Sequence, residues 1–93
     1  MSVAVKIPTA LRTYADGKGS IDCTGATVGE VLGSLVEQHP GLGNHLRTAE
    51  GKLRSFVNVY LGEEDIRYLD GEGTAVDDGA TLTIVPSIAG GAA

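Results

Sequence analysis

Thr27-Val28-Gly29-Glu30-Val31-Leu32-Gly33-Ser34-Leu35-Val36-Glu37-Gln38-His39-Pro40-Gly41 is the stretch on which the fold turns. Thr27 and Glu30 have the spacing of a capping box, in which a hydroxyl and a carboxylate satisfy free backbone N–H groups at a helix start. Val28, Val31, Leu32, Leu35 and Val36 then recur at helical spacing, while Glu30, Ser34 and Glu37 fall elsewhere and Pro40-Gly41 stops the pattern. A helix with one apolar face needs a sheet to cover it.

The strands lie on both sides. Upstream, Val3, Val5 and Ile7 alternate with Ala4 and Lys6 before Pro8, which predicts a strand with one buried face. After the turn-prone Asp16-Gly17-Lys18-Gly19, Ser20-Ile21-Asp22-Cys23-Thr24 pairs back antiparallel, across a connection read as a loop. Downstream, 42–47 is too short to assign, 48–52 reads as a surface loop with room for a helical turn, and Phe56-Val57-Asn58-Val59-Tyr60-Leu61 reads as a central strand. It turns at Gly62-Glu63-Glu64-Asp65 into a short strand Ile66-Arg67-Tyr68. The last strand is Thr81-Leu82-Thr83-Ile84-Val85-Pro86, led in by Asp77-Asp78-Gly79. On the central strand Val57, Val59 and Leu61 share the face expected to meet the helix, and Phe56, Asn58 and Tyr60 point the other way.

Strand, strand, helix, strand, short strand, strand gives an α+β roll, a mixed sheet with one main helix across it: the β-grasp. Residues 1–86 form this domain and 87–93 a flexible tail. The 93 residues hold one core, and with 42% apolar but only 4% aromatic residues that core is aliphatic.

A net charge of −5 opposes binding to nucleic acid or to an anionic membrane, and favours a protein partner with a basic patch. Met1-Ser2-Val3-Ala4-Val5-Lys6 lacks the basic run and continuous apolar stretch of a secretory signal, and Cys23 is a single, unpaired cysteine. The expected location is the cytoplasm.

No catalytic or metal centre is legible. Cys23 has no motif that would lower its thiol pKa and is expected to be structural. His39 and His45 fit no common metal spacing, and the acids at 63–65 and 77–78 lack the alternating ligands of a calcium loop. Gly71-Glu72-Gly73 and Gly41-Leu42-Gly43 lack the third glycine and the strand-to-helix setting of a nucleotide loop.

The more specific signal lies at the end of the chain, where Ile84-Val85-Pro86 runs into Ser87-Ile88-Ala89-Gly90-Gly91-Ala92-Ala93. A final strand leading into a diglycine tail resembles the ThiS/MoaD sulfur carriers and, more distantly, ubiquitin. Val5-Lys6-Ile7-Pro8-Thr9, Phe56-Val57-Asn58-Val59-Tyr60 and Glu64-Asp65-Ile66-Arg67 extend the resemblance to carriers of the CysO type over nearly the whole chain.

The resemblance implies a protein that is not itself an enzyme and binds no cofactor. An E1-like activating enzyme of the ThiF/MoeB kind uses ATP to adenylate the Gly91 carboxylate, and sulfide converts it to a thiocarboxylate. A sulfur-accepting synthase, either a pyridoxal-phosphate cysteine synthase or an enzyme making a thiolated metabolite, then takes the sulfur. Gly90 gives the tail a slender approach to the activating site. In the chain as written Ala92-Ala93 follow Gly91, so a cut between Gly91 and Ala92 is expected, by a JAMM-type metalloprotease. Phe56, Tyr60, Val85 and Ile88 are the candidate partner surface. Two other readings share these features: the small subunit of a molybdopterin synthase, and a ubiquitin-like modifier that is conjugated to proteins.

Overall fold

The computed structural model describes residues 2–48, 53 and 57–86. Five strands form one mixed sheet: β1 (Ser2–Lys6), β2 (Ser20–Thr24), β3 (Val57–Leu61), β4 (Glu64–Asp65) and β5 (Thr81–Pro86), in the order β2-β1-β5-β3-β4. The central pair β1 and β5 is parallel and the other pairs are antiparallel. Parallel neighbours cannot be joined by a tight turn, so the chain must cross over between them. Helices α1 (Val28–Gln38) and α2 (Pro40–Leu46) lie within that crossover. This is the expected β-grasp.

The core sits between the inner face of the sheet and α1. Val3, Val5, Val59, Leu82 and Ile84 from the strands meet Val28, Val31, Leu32 and Leu35 from the helix, all at most 2% exposed. Among the described residues this core contains no aromatic ring, as the composition requires.

The start of α1 is capped, with one shift from the motif. Thr27 Oγ1 accepts the Glu30 N–H at 3.3 Å as expected, but Glu30 Oε1 accepts the N–H of Ala26, at 3.0 Å, one residue before the cap. Gly25 makes this tight entry possible, because a Cβ there would lie 2.7 Å from the Val31 nitrogen and 2.8 Å from Glu30 Cβ.

Two expectations are corrected, and one stretch left unassigned is a helix. The connection between β1 and β2 is a 3₁₀ helix over Thr9–Ala15, which buries Leu11 and Ala15 and ends at Asp16 with φ 55°. Pro40 ends α1 but also opens α2, because its missing N–H and fixed φ suit the first turn of a helix, and α2 then buries Leu42 and Leu46. Ile66–Tyr68 is a 3₁₀ turn and not a strand. The hairpin closes earlier, on the Gly62-Glu63 turn that pairs Leu61 with Glu64, with Gly62 at φ 64°. Asp65 Oδ1 then accepts the Arg67 N–H at 2.9 Å, an Asx-type bond that draws the chain out of the ladder.

Candidate functional site

Gly90, Gly91, Ala92, Ala93, Ile88 and Phe56 lie outside the described residues; Tyr60 and Val85 lie within them. Alternation along β3 and β5 decides where these two point. Val57 and Val59 are buried against the core, Leu61 partly so, and Leu82 and Ile84 are buried on β5. Tyr60 and Val85 therefore face the other way, onto the side of the sheet opposite α1. Val85 is 40% exposed and stands opposite Asn58, and Tyr60 stands opposite Thr83.

Cross-strand register extends this open face into a row. Ser20 pairs with Lys6, Lys6 with Thr83, Thr83 with Tyr60, and Tyr60 with Asp65, so one line of side chains crosses all five strands. At its β4 end Arg67 closes on Asp65, donating from Nη2 to Oδ2 at 2.9 Å and from Nε to both carboxylate oxygens at 3.3 Å. These bonds, with that from the Arg67 backbone N–H, hold the Asp65 carboxyl below the usual carboxylate range and raise the Arg67 guanidinium in turn. Tyr68, next along, is 83% exposed. Sequence reasoning missed Lys6 and Asp65 as members of this row and the bond that Arg67 makes to Asp65 at its end; the Asp-x-Arg spacing was the available signal.

The last pair of the β3–β5 ladder is Val57 with Pro86. It fixes where the chain leaves the sheet, at the end of β5 remote from the Gly62-Glu63 turn, whose Gly62 N–H donates to the Thr81 carbonyl at 3.0 Å.

The remaining candidates do not converge. Cys23 is buried at 1% exposure, and burial pushes its thiol pKa up despite a hydrogen bond to Ser34, so it is a poor nucleophile. His39 Nδ1 lies 3.8 Å from Asp16 Oδ2, whereas His45 packs its ring 4.1 Å from that of Tyr14. Among the described residues no three His, Cys, Asp or Glu side chains group as a metal site, and no helix is long and apolar enough to cross a membrane. A cavity of about 400 Å³ is lined by Leu53, Val57, Val59 and Ile66, with Arg67 and Glu72 supplying charge. Both charges are already engaged, Arg67 by Asp65 and Glu72 by Arg47 at 2.7 Å.

Comparison with known proteins places this geometry. The ThiS family profile matches residues 5–91. The sulfur carrier protein CysO of Mycobacterium tuberculosis is 41% identical over 93 residues, covering 98% of this chain and 100% of that protein. Small archaeal modifier protein 3 of Haloferax volcanii is 41% identical over 66 residues, 71% of each chain. In the crystal structure of the Amycolatopsis orientalis BexX/CysO complex, the matched chain superposes with a TM-score of 0.87 at 45% identity, covering 96% of this chain and 99% of that one. The chain therefore belongs to the ThiS family, whose members are small sulfur carriers and not catalysts, built on the ubiquitin-like β-grasp.

Proposed function

We propose that this protein carries sulfur as a thiocarboxylate on Gly91. A carboxylate resists nucleophilic attack until it bears a leaving group. An E1-like partner joins the Gly91 carboxylate to the α-phosphorus of ATP, releasing pyrophosphate, and sulfide then attacks the acyl carbon and displaces AMP. The carrier contributes the acyl group and no cofactor; ATP and sulfide enter through the partner. The product hands its sulfur to a synthase that makes cysteine or another sulfur-containing metabolite.

The observation that carries this reading is the family match, which runs through the diglycine to residue 91. The register supports it, since a tail leaving at Pro86 starts beside Val57 at one end of the sheet. From there to Gly91 an extended segment reaches roughly 17 Å at about 3.3 Å per residue, enough to enter another protein's interior. Gly90 and Gly91, lacking a Cβ, admit close approach to a nucleotide cleft. Ala92 and Ala93 must first be cut away, by a JAMM-type metalloprotease that hydrolyses the Gly91–Ala92 bond and frees the carboxylate. Tyr60 and Val85 on the open face, with Phe56 and Ile88, form the surface that meets the activating enzyme.

A second reading is favoured by the Haloferax relative, whose name is that of a protein modifier. There the activated Gly91 would pass to a lysine amine of another protein. Tryptic peptides carrying a branch that ends in Gly91 would identify that outcome. For the carrier, the test is reconstitution of the chain ending at Gly91 with ATP, sulfide and a cognate activating enzyme. Intact mass spectrometry should show one oxygen replaced by sulfur, and an unchanged mass with every cognate activator would refute the proposal.

A further inference from the structure

The sheet order leaves β2 at an edge, and the ladder fixes which of its backbone groups β1 does not use. The Ile7 N–H donates to the Gly19 carbonyl at 2.9 Å, so residues 7 and 19 form a hydrogen-bonded pair that continues the antiparallel β1–β2 register. Bonded pairs alternate with non-bonded ones in such a ladder. Val5 with Ile21 and Val3 with Cys23 are therefore bonded, whereas the N–H and carbonyl groups of Ser20, Asp22 and Thr24 point outward from the sheet. The opposite strand agrees with this phase, because Ala4, which stands across from Asp22, turns its N–H to the Ala80 carbonyl at 3.0 Å. A row of outward groups of this kind is a template for another strand.

The template is self-complementary. Turned about a two-fold axis at Asp22, a second copy would lay its own β2 antiparallel to the first, with Ser20 facing Thr24, Asp22 facing Asp22, and each outward N–H meeting an outward carbonyl. Two side chains oppose this. Gln38, the last residue of α1, donates from Nε2 to the Asp22 carbonyl at 3.2 Å and lies 3.8 Å from Cys23 Sγ, so it occupies the central acceptor of the row. Asp22 is exposed between the buried Ile21 and Cys23, which puts its side chain on the face away from the core. In the paired arrangement two such carboxylates would stand directly opposite each other, and like charges so placed destabilise a strand pair.

We propose that the free edge of β2 is a latent pairing surface for a second copy of this chain, and that Gln38 and Asp22 guard it and keep the protein monomeric. Gln38 acts by filling the central carbonyl, and Asp22 acts by charge. The opposite edge, β4, needs less protection, since it is two residues long and the Asp65 bond to the Arg67 N–H ends it. The guard works in the body of the domain and does not depend on the chemistry of the tail.

The test is sedimentation velocity of the full chain over a range of concentrations, with circular dichroism to check folding. The wild type should sediment as a monomer throughout. Asp22→Thr with Gln38→Ala should dimerise, with an association constant about tenfold or more above the upper limit for the wild type, and each single change should fall between. Both positions are exposed, and the single variants carry the test should the double one not fold. Hydrogen exchange locates the contact: in the dimer the amides of Ser20, Asp22 and Thr24 should become protected, while those of Ile21 and Cys23, already bonded to β1, should not change. Thr24→Pro added to the double variant removes an outward N–H that β1 does not use, and should restore the monomer. Glu37→Ala, an exposed change one residue before Gln38, should leave the wild type monomeric. A folded double variant that stays monomeric, or that associates without protecting those three amides, would overturn the proposal. So would a wild type that dimerises with the same amides protected.

Discussion

Asn58 and Val85 face each other across β3 and β5 on the side of the sheet opposite α1. A valine left 40% exposed beside a polar neighbour contributes little to the core. Val85→Arg is therefore expected to change unfolding free energy by no more than about 0.5 kcal/mol. If this face meets the activating enzyme, the same change raises KM for loading on the order of tenfold, the usual effect of disrupting a central interface residue. Urea unfolding and loading kinetics on one preparation separate the two effects.

The entry to α1 depends on two side chains, Thr27 and Glu30, each accepting a backbone N–H. Thr27→Ala should cost about 1 kcal/mol, and Glu30→Ala a comparable amount, since its carboxylate also lies near the positive end of the helix dipole. The two losses should add incompletely because they act on the same helical turn. The measurement is urea denaturation, with the midpoint shifted and the slope unchanged.

Asp65 contributes to the acid limb of stability. Hydrogen bonds from Arg67, side chain first and then backbone, depress its folded pKa. A depressed carboxyl contributes stability above its unfolded value of about 3.9, and that contribution is lost as pH falls through the folded pKa. Asp65→Asn keeps an oxygen for the Arg67 N–H but removes the charge. The variant should be less stable than the wild type near pH 6, with the gap closing as pH falls below about 4. A constant gap from pH 6 to pH 2 would show that the charge plays no part. Arg67 is 62% exposed, so added salt should also narrow the difference at pH 6.

What could be read in advance followed from short periods. The runs Ser20–Thr24 and Thr81–Pro86 have the bounds of β2 and β5, and Tyr60 points away from the core as its parity with Val57, Val59 and Leu61 requires. The 3₁₀ helix at Thr9–Ala15 escaped notice because only Leu11 and Ala15 mark its buried side, too few to show a period. The second helix was hidden by Pro40, which stops one helix and begins another with the same ring. Local pattern puts Asp65 at the end of a turn and Arg67 in a strand, whereas Asp65 ends β4 and its side-chain bond to the Arg67 N–H draws the chain into a 3₁₀ turn. The row that joins Lys6, Thr83, Tyr60 and Asp65 depends on the parallel β1–β5 register, a long-range fact that local pattern does not carry. The diglycine was legible as a motif, although its residues lie outside those the structure describes.

The most direct test compares two chain lengths in the same loading reaction. With ATP, sulfide and the activating enzyme present, the chain ending at Gly91 should gain a thiocarboxylate, and the chain ending at Ala93 should keep its mass until a protease removes Ala92-Ala93. Equal sulfur incorporation at Ala93 would contradict the account, because the reacting carboxylate would then not be that of Gly91.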